Sequence, residues 1–210
     1  MMSLRNPALA AAAALLLAAL AGCADTTSPG GSGSIIGPDA PPSAIAADGE
    51  VLGLGTVLQR DGEEPELCLS GVAESYPPQC GGPPVSGWDW GTVEGDETAS
   101  GVTWGAYAVQ GTWDGTTFTL TQPPIMLALY DAMPIVDPRD DPANAGSTDE
   151  RELLAIQEEL ADTVDILGAG PSNGYLFVDV IFDDDQIQRY MDETYGEGVV
   201  AVRSALRDVG

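Results

Sequence analysis

The stretch VTWGAYAVQGTWDGTTFTLT, residues 102–121, carries the clearest structural signal in the chain. Asp114-Gly115 lies between two runs rich in β-branched and aromatic residues, which favours a hairpin closed by a two-residue type I′ turn. In that register Trp113 opposes Thr116, Gly111 opposes Phe118 and Val109 opposes Leu120. One face then carries Tyr107, Val109, Phe118 and Leu120, and the other carries Gln110, Thr112, Thr117, Thr119 and Thr121. Such segregation predicts an antiparallel sheet with one buried and one wet face.

Three further strands are predicted ahead of the hairpin, at EVLGLGTVLQ (50–59), ELCLSGV (66–72) and VSGWDW (85–90). Together with the hairpin they predict a small antiparallel five-stranded β-barrel or sandwich over residues 50–125. The strand order and the glycine-rich first strand are similar to those of an OB-type barrel. A fold of that type does not fix a ligand.

The last part of the chain, residues 149–210, predicts an α-β-α-β unit, so the fold class is α+β. Asp149 and Glu152 match a capping box. A stripe at helical spacing predicts a helix ending at Gly168, with the members Leu153, Ile156, Leu160, Val164 and Leu167. A strand follows over 174–182, then a helix to Tyr195 with Asp183 to Asp185 as N-cap and first turn and Gly196 as C-cap, and a final strand over 199–206.

Residues 126–148 predict an irregular, solvated linker between these two units. Its aspartates at 137, 140 and 141 suggest calcium, but the spacing does not fit an EF-hand loop. Arg139 stands at the third position, and no glycine follows at the sixth. We therefore expect no metal site here.

The charge balance excludes several function classes. The 210 residues include 33 acidic and 7 basic ones, all arginine, and no histidine, for a formal charge of -26. Nucleic-acid binding needs clustered cations, so it is not expected. The absence of histidine removes the usual general base and zinc ligand, which leaves paired carboxylates as the remaining catalytic option. We expect neither an enzyme nor a cofactor.

The N-terminus predicts export. Residues 8–20 form an apolar segment too short to span a bilayer comfortably, preceded by Arg5. The segment ends in Leu20-Ala21-Gly22-Cys23, which resembles the lipobox of bacterial lipoprotein precursors. The resemblance implies a signal peptide over 1–22, cleavage after Gly22, and a diacylglyceryl anchor on Cys23 that holds the protein on the extracytoplasmic face of the cell membrane. A plain secretory signal and a buried Ala-rich helix are the alternatives.

Residues 23–49 are rich in Gly, Ser, Pro and Ala and predict a flexible tether. Beyond it, Cys68 and Cys80 form an even pair in an exported protein, which predicts a structural disulfide. A redox-active pair would need the CxxC spacing, which is absent. PPQCGGP, followed by GWDW, is similar to stretches in uncharacterised secreted proteins of high-GC bacteria, and this similarity implies no known activity.

The tryptophans are the best candidates for a site. Trp113 shares the buried parity of Val109, whereas Trp104 shares the wet parity of Ala106. Trp88 and Trp90 lie on one side of their predicted strand, either in the core or at a surface. Because exposed aromatics are enriched at binding hot spots, we hypothesise that Trp104, with Tyr76 on the proline-rich loop, borders a shallow binding groove.

Three functional classes fit the sequence. The first is a lipid-anchored binding or interaction module, whose partner is a small ligand or an envelope protein. The second is a structural or envelope-assembly accessory lipoprotein, and the third is a carboxylate-dependent hydrolase. We favour the first.

Cys23→Ala tests the anchor. We expect this variant to lose labelling by radioactive or clickable fatty acid and to accumulate as unprocessed precursor, because the acceptor thiol is gone. Cys80→Ala in the same chain serves as the control that keeps labelling. Normal processing and membrane retention of the Cys23 variant would contradict the lipobox interpretation.

Overall fold

The main sheet is built on two long antiparallel strands, seen here in a computed structural model that describes residues 41–161 and 165–209. The signal segment, Cys23 and residues 23–40 of the tether lie outside the described residues. The strands are β1 (Glu50–Arg60), β2 (Glu66–Cys68), β3 (Val85–Ser86), β4 (Glu97–Ala99), β5 (Val102–Trp113), β6 (Phe118–Leu120), β7 (Ile125–Met126), β8 (Gly168–Ser172), β9 (Tyr175–Val180), β10 (Val200–Ser204) and β11 (Arg207–Asp208). The helices are α1 (Glu150–Leu160) and α2 (Gln186–Tyr195).

Eight strands form this first sheet rather than the expected five. Its order is β11-β1-β5-β6-β3, with β2 also on β1 and with β4 and β7 also on β5. Leu67 N donates to Pro83 O and Val85 N donates to Pro65 O, which draws β2 toward β3 and curls the sheet into a half-barrel. The three additional strands, β4, β7 and β11, are only two or three residues long. The expected strands over 66–72 and 85–90 are shorter than predicted and end at Cys68 and Ser86.

The predicted hairpin has the correct faces but the wrong register. Trp113 pairs with Phe118 and Gly111 with Leu120, so four residues form the loop. The cause is Asp114, whose Oδ1 accepts hydrogen bonds from Thr116 N, Thr116 Oγ1 and Thr117 N. The pairing shifts by two residues, which preserves parity. Tyr107, Val109 and Phe118 are therefore buried as predicted, and Thr112, Thr119 and Thr121 are exposed.

The inner face of β1 and β5 alternates glycine with large residues. Each inner pair joins one glycine to one large side chain: Gly53 with Val109, Gly55 with Tyr107, Gly105 with Val57, and Gly111 with Val51. The Tyr107 ring folds back over Gly105, lying 2.6 Å from where a Cβ would stand, and the Phe118 ring covers Gly111 at 3.0 Å. The core around these pairs consists of Val51, Val57, Leu67, Val85, Tyr107, Val109, Trp113, Phe118, Phe182 and Leu206.

The C-terminal sheet has the order β10-β9-β8, with β9 parallel to β10 through α2 and antiparallel to β8. One face packs on both helices in a second apolar cluster, with the members Leu153, Ile156, Leu160, Leu176, Val178, Val180, Ile187, Met191 and Val200. Ile45 packs against both clusters, and Ala47 N donates to Trp113 O, so the tether predicted over 23–49 is too long at its C-terminal end: its last residues belong to the folded unit. Because β11 pairs with β1 and Leu206 belongs to the first core, the end of the chain completes the main sheet.

The predicted first helix is too long at its C-terminal end. Asp149 caps α1 by accepting from Glu152 N, as expected. The helix then ends at Leu160, and Leu167 N donates to Asp179 O as the chain enters β8. Gly168, Gly170 and Pro171 disfavour a helix, and an unforeseen strand forms instead. Val164 lies outside the described residues.

The second helix begins later than expected. Asp183 supplies the cap, since its carboxylate accepts from Ile187 N and Gln188 N. Asp185, in contrast, has a φ of 73° and no side-chain capping bond. Gly196 ends the helix at a φ of 100°, as predicted.

Gly55→Ala tests the alternation of small and large residues. An alanine Cβ at this position meets the carbonyl oxygen of Cys68, so we expect a loss of about 3 kcal/mol in the free energy of unfolding. Gly170→Ala is the matched control, because its Cβ meets no atom within 4 Å, and we expect a change within about 0.5 kcal/mol. Equal denaturation midpoints for the two variants would contradict the close packing at Gly55.

Candidate binding site

The residues predicted as a site come together at an aromatic pair. Cys68 and Cys80 form the expected disulfide, which ties the loop that carries Tyr76 to β2. The Tyr76 and Trp104 rings meet edge to face, with centroids 5.4 Å apart and planes at 87°. Tyr76 is 74% exposed and Trp104 is half-buried. The pair forms an aromatic surface, and its role in binding stays a prediction.

The other three tryptophans belong to the core or its border. Trp113 is buried, as predicted, and its Nε1 donates to Ile45 O at 2.8 Å. The predicted strand placement of Trp88 and Trp90 is wrong, since β3 ends at Ser86 and Trp90 begins a 3₁₀ turn. Both indoles pack on the buried ring of Tyr107, with centroid distances of 5.0 and 6.4 Å. Their surroundings favour the core interpretation.

A larger site lies on the edge of β1 that faces away from β5. On this edge β11 pairs with residues 51–52 and β2 pairs with residues 56–58, so residues 53–55 lie between the two. The segments flanking this gap help to line a cavity of about 790 Å³. Its walls are Leu69, Ser70, Gly71, Ile135, Asp137, Asp140, Leu167, Gly168, Asp179, Arg203, Ser204, Ala205 and Arg207. Neither Tyr76 nor Trp104 lines it.

One wall of the cavity is held by a network of arginines and aspartates. Arg139 donates to Asp137 through Nε and Nη2, both at 2.9 Å. Arg203 Nη2 lies 2.8 Å from Asp140 Oδ1, and its Nε forms an ion pair with Asp137 Oδ2 at 3.4 Å. The Arg203 guanidinium also stacks on the Phe177 ring, 3.6 Å from its centroid. Two arginines, two aspartates and the Phe177 ring thus hold one another in position.

The network fastens part of the predicted linker, most of which is exposed, to the rest of the fold. The Asp137 side chain is only 12% exposed, and the hydrogen bond from Arg139 is the main cause that lowers its pKa to about 2. Asn173 Nδ2 donates to Arg139 O and Asp141 O, and Tyr175 Oη donates to Asn144 O. The segment is irregular, but its backbone is fastened to the C-terminal sheet.

Two charged side chains at the cavity stand outside the network. Arg207 is half-buried and Asp179 is exposed, and neither side chain has a hydrogen bond or an ion pair within the part of the chain that the structure describes. Arg207, Arg203 and Arg139 are three of the six arginines among the described residues. Two of the six arginines of the described residues therefore line one cavity, and a third is paired with an aspartate of its wall.

Sequence reasoning missed this cavity because its walls come from residues 69 to 207. A weak signal exists in Arg203 and Arg207, two of only seven arginines, four residues apart near the C-terminus. A second signal lies in β9, where Phe177 and Asp179 alternate with the apolar residues that face the helices. The alternation indicates that both belong to the opposite face of the sheet.

The other perturbed groups have structural causes. Burial raises the pKa of Asp183, whose carboxylate caps α2, and burial likewise raises the pKa of Tyr107 and that of Tyr195, the latter to about 12. Within residues 41–161 and 165–209, no group of three or more His, Cys, Asp or Glu side chains is arranged to hold a metal ion. No helix among the described residues is long and apolar enough to cross a membrane.

The chain matches no protein-family model, no curated protein and no solved structure. A function for this protein is therefore inferred from the geometry of the cavity and from the sequence.

Asp137→Asn tests the network through pH. The pKa of Asp137 is lower in the folded state, so the unfolded chain binds the proton more readily, and the stabilisation is present above about pH 4 and lost as pH falls through about 2. We expect the variant to unfold about 2 to 4 °C below the parent at pH 7 and to match it below pH 2. Asp131→Asn, an exposed aspartate of the same segment, is the control. A difference that persists unchanged at low pH would exclude this ion-pair contribution.

Proposed function

We propose that the protein is a lipid-anchored, extracytoplasmic binding module that holds a small polar ligand in the cavity beside β1. The observation that carries this proposal is the volume of about 790 Å³ combined with its charged walls. Ligand sites commonly enclose about 300–1,000 Å³ and fix the ligand with a few convergent polar groups. The Arg139–Asp137–Arg203 network supports the proposal because it holds such groups in place before a ligand arrives.

The location rests on the Leu20–Cys23 motif. Two acyl chains on Cys23 give durable attachment, whereas one chain binds only reversibly. Because Ile45 and Ala47 belong to the folded unit, only residues 24–40 count as tether, and as a coil they would span roughly 23 Å, which is more than two Debye lengths at physiological salt. An acidic module on such a tether works beyond the surface field of the membrane.

We also infer that the curled sheet is of OB type. Its five expected strands pair in the order β1-β2-β3-β6-β5 and return to β1, if the two hydrogen bonds between residues 65–67 and 83–85 are counted as the β2–β3 contact. OB-type barrels are partly open five-stranded Greek-key barrels that bind oligonucleotides or oligosaccharides. The charge of -26 argues against the oligonucleotide.

An assembly accessory is the second candidate, favoured by one exposed apolar run. Leu129, Met133, Ile135 and Val136 are 75%, 85%, 65% and 83% exposed, and Asp131 is the one charged residue between Ile125 and Val136. Contiguous apolar surface of this kind marks protein interaction sites. The Tyr76–Trp104 surface is the third place where a partner could bind.

Filling the cavity tests the proposed function. Gly71 lines the cavity, and a Cβ at this position meets no atom within 4 Å, so the backbone accepts a side chain there and the indole of Gly71→Trp should take up part of the cavity. A library of polar small molecules is screened by thermal shift and by protein-observed NMR against the full chain in detergent. We expect the hits to lose at least tenfold in affinity with Gly71→Trp. They should keep their affinity with Gly81→Trp, since a Cβ at Gly81 also meets no atom within 4 Å and Gly81 is not one of the cavity walls.

The same screen separates the alternatives. Hits that survive Gly71→Trp but weaken with Trp104→Ala would place the ligand on the aromatic pair instead. The absence of any ligand, together with an envelope cross-link lost by Val136→Ser but kept by Leu154→Ser on α1, would favour the accessory. Leu154 is a suitable control because it is 49% exposed and lies outside the apolar run.

A further inference from the structure

The charge of the cavity differs from that of the whole chain. Its walls include three aspartates, Asp137, Asp140 and Asp179, and two arginines, Arg203 and Arg207. Arg139 is not a wall residue but forms an ion pair with Asp137. The walls themselves carry three carboxylates and two guanidiniums, and Arg139 on Asp137 brings this cluster to neutrality, although the chain carries -26. A neutral site on so acidic a molecule needs an explanation beyond solubility.

The ion pairs account for four of these six groups. Asp137 and Asp140 are taken by Arg139 and Arg203, which leaves one arginine and one aspartate of the cavity without a protein partner in the described chain. A guanidinium presents a planar fork that matches a carboxylate through two parallel hydrogen bonds. A carboxylate accepts readily from an ammonium group. Arg207 and Asp179 therefore offer one recognition element for each sign of charge.

The field of the molecule narrows the choice of ligand. A free anion is repelled by the surrounding acidic surface as it approaches, and a free cation is attracted to that entire surface without selecting this cavity. A molecule that carries one positive and one negative charge has no net charge, so the acidic surface of the protein neither repels it nor binds it away from the cavity. It gains both contacts only where an arginine and an aspartate line the same cavity.

We propose that the cavity binds a zwitterion, a molecule that carries an ammonium and a carboxylate group, with Arg207 on the carboxylate and Asp179 on the ammonium. The proposal rests on the proposed function, since it names the ligand class of the same site. A fully extended tripeptide spans about 10 Å, a length suited to a cavity of this volume. Leu69, Ile135 and Leu167 supply apolar wall for small side chains.

A panel of defined probes tests the proposal. Trialanine, N-acetyl-trialanine, trialanine amide and the doubly blocked peptide are titrated into the full chain in detergent by calorimetry, and alanine is added to separate a free amino acid from a peptide. We expect each single block to weaken binding at least tenfold. Arg207→Gln should abolish the difference between trialanine and its amide, and Asp179→Asn should abolish the difference between trialanine and its acetylated form.

Arg189→Gln on α2 is the control for net charge, because Arg189 lies outside the cavity walls and is exposed. It should leave the affinity for trialanine within about twofold. Equal affinities for all four peptides, or no binding of trialanine or alanine at millimolar concentration, would overturn the zwitterion proposal. Neither result touches the proposed function, which fails if the library gives no hit or if its hits are indifferent to Gly71→Trp.

Discussion

The alternation of glycine with large residues on the inner face of β1 and β5 is the constraint on which the rest of the structure depends. Each inner pair combines one glycine with one large side chain. Each pair therefore contributes one large side chain to the close-packed core. The glycine positions bring backbone and rings close enough for the sheet to curl, as the Phe118 ring over Gly111 illustrates. The curl in turn places the end of β2 and the start of β11 on the same edge of β1, and the cavity lies beside the interval between them.

The features that could be predicted are those encoded by periodicity or by a single residue type. The period-two pattern of residues 102–121 gave the correct buried face, and the cysteine pair gave the disulfide. The turn length could not be predicted because it depends on three hydrogen bonds to one aspartate, and the same dipeptide fits a shorter loop. Strands of two or three residues, such as β7 and β11, carry too little pattern to detect, and they form because β5 and β1 offer them an edge.

Only part of the candidate site could be predicted from the sequence. The sequence predicts Tyr76 and Trp104 as one surface, because Trp104 has the wet parity of its strand and Tyr76 lies on the proline-rich loop, and their rings do meet. The cavity escaped because its walls are distant in sequence and its chemistry depends on which arginine pairs with which aspartate. Composition says that cations are rare in this chain, but only the fold shows that Asp137 holds two of them and leaves Arg207 unmatched within the described residues.

The pairing of β11 with β1 also affects when the main core can form during synthesis of the chain. Leu206 Cδ2 lies 2.8 Å from the position of a Gly53 Cβ, so a residue near the C-terminus fills the space beside the first strand. A ribosome releases Gly53 long before Leu206, and the main core stays incomplete through that interval. Until Leu206 has left the ribosome, the apolar inner face of β1 lacks its cover beside Gly53, so the main core closes late in synthesis and not strand by strand.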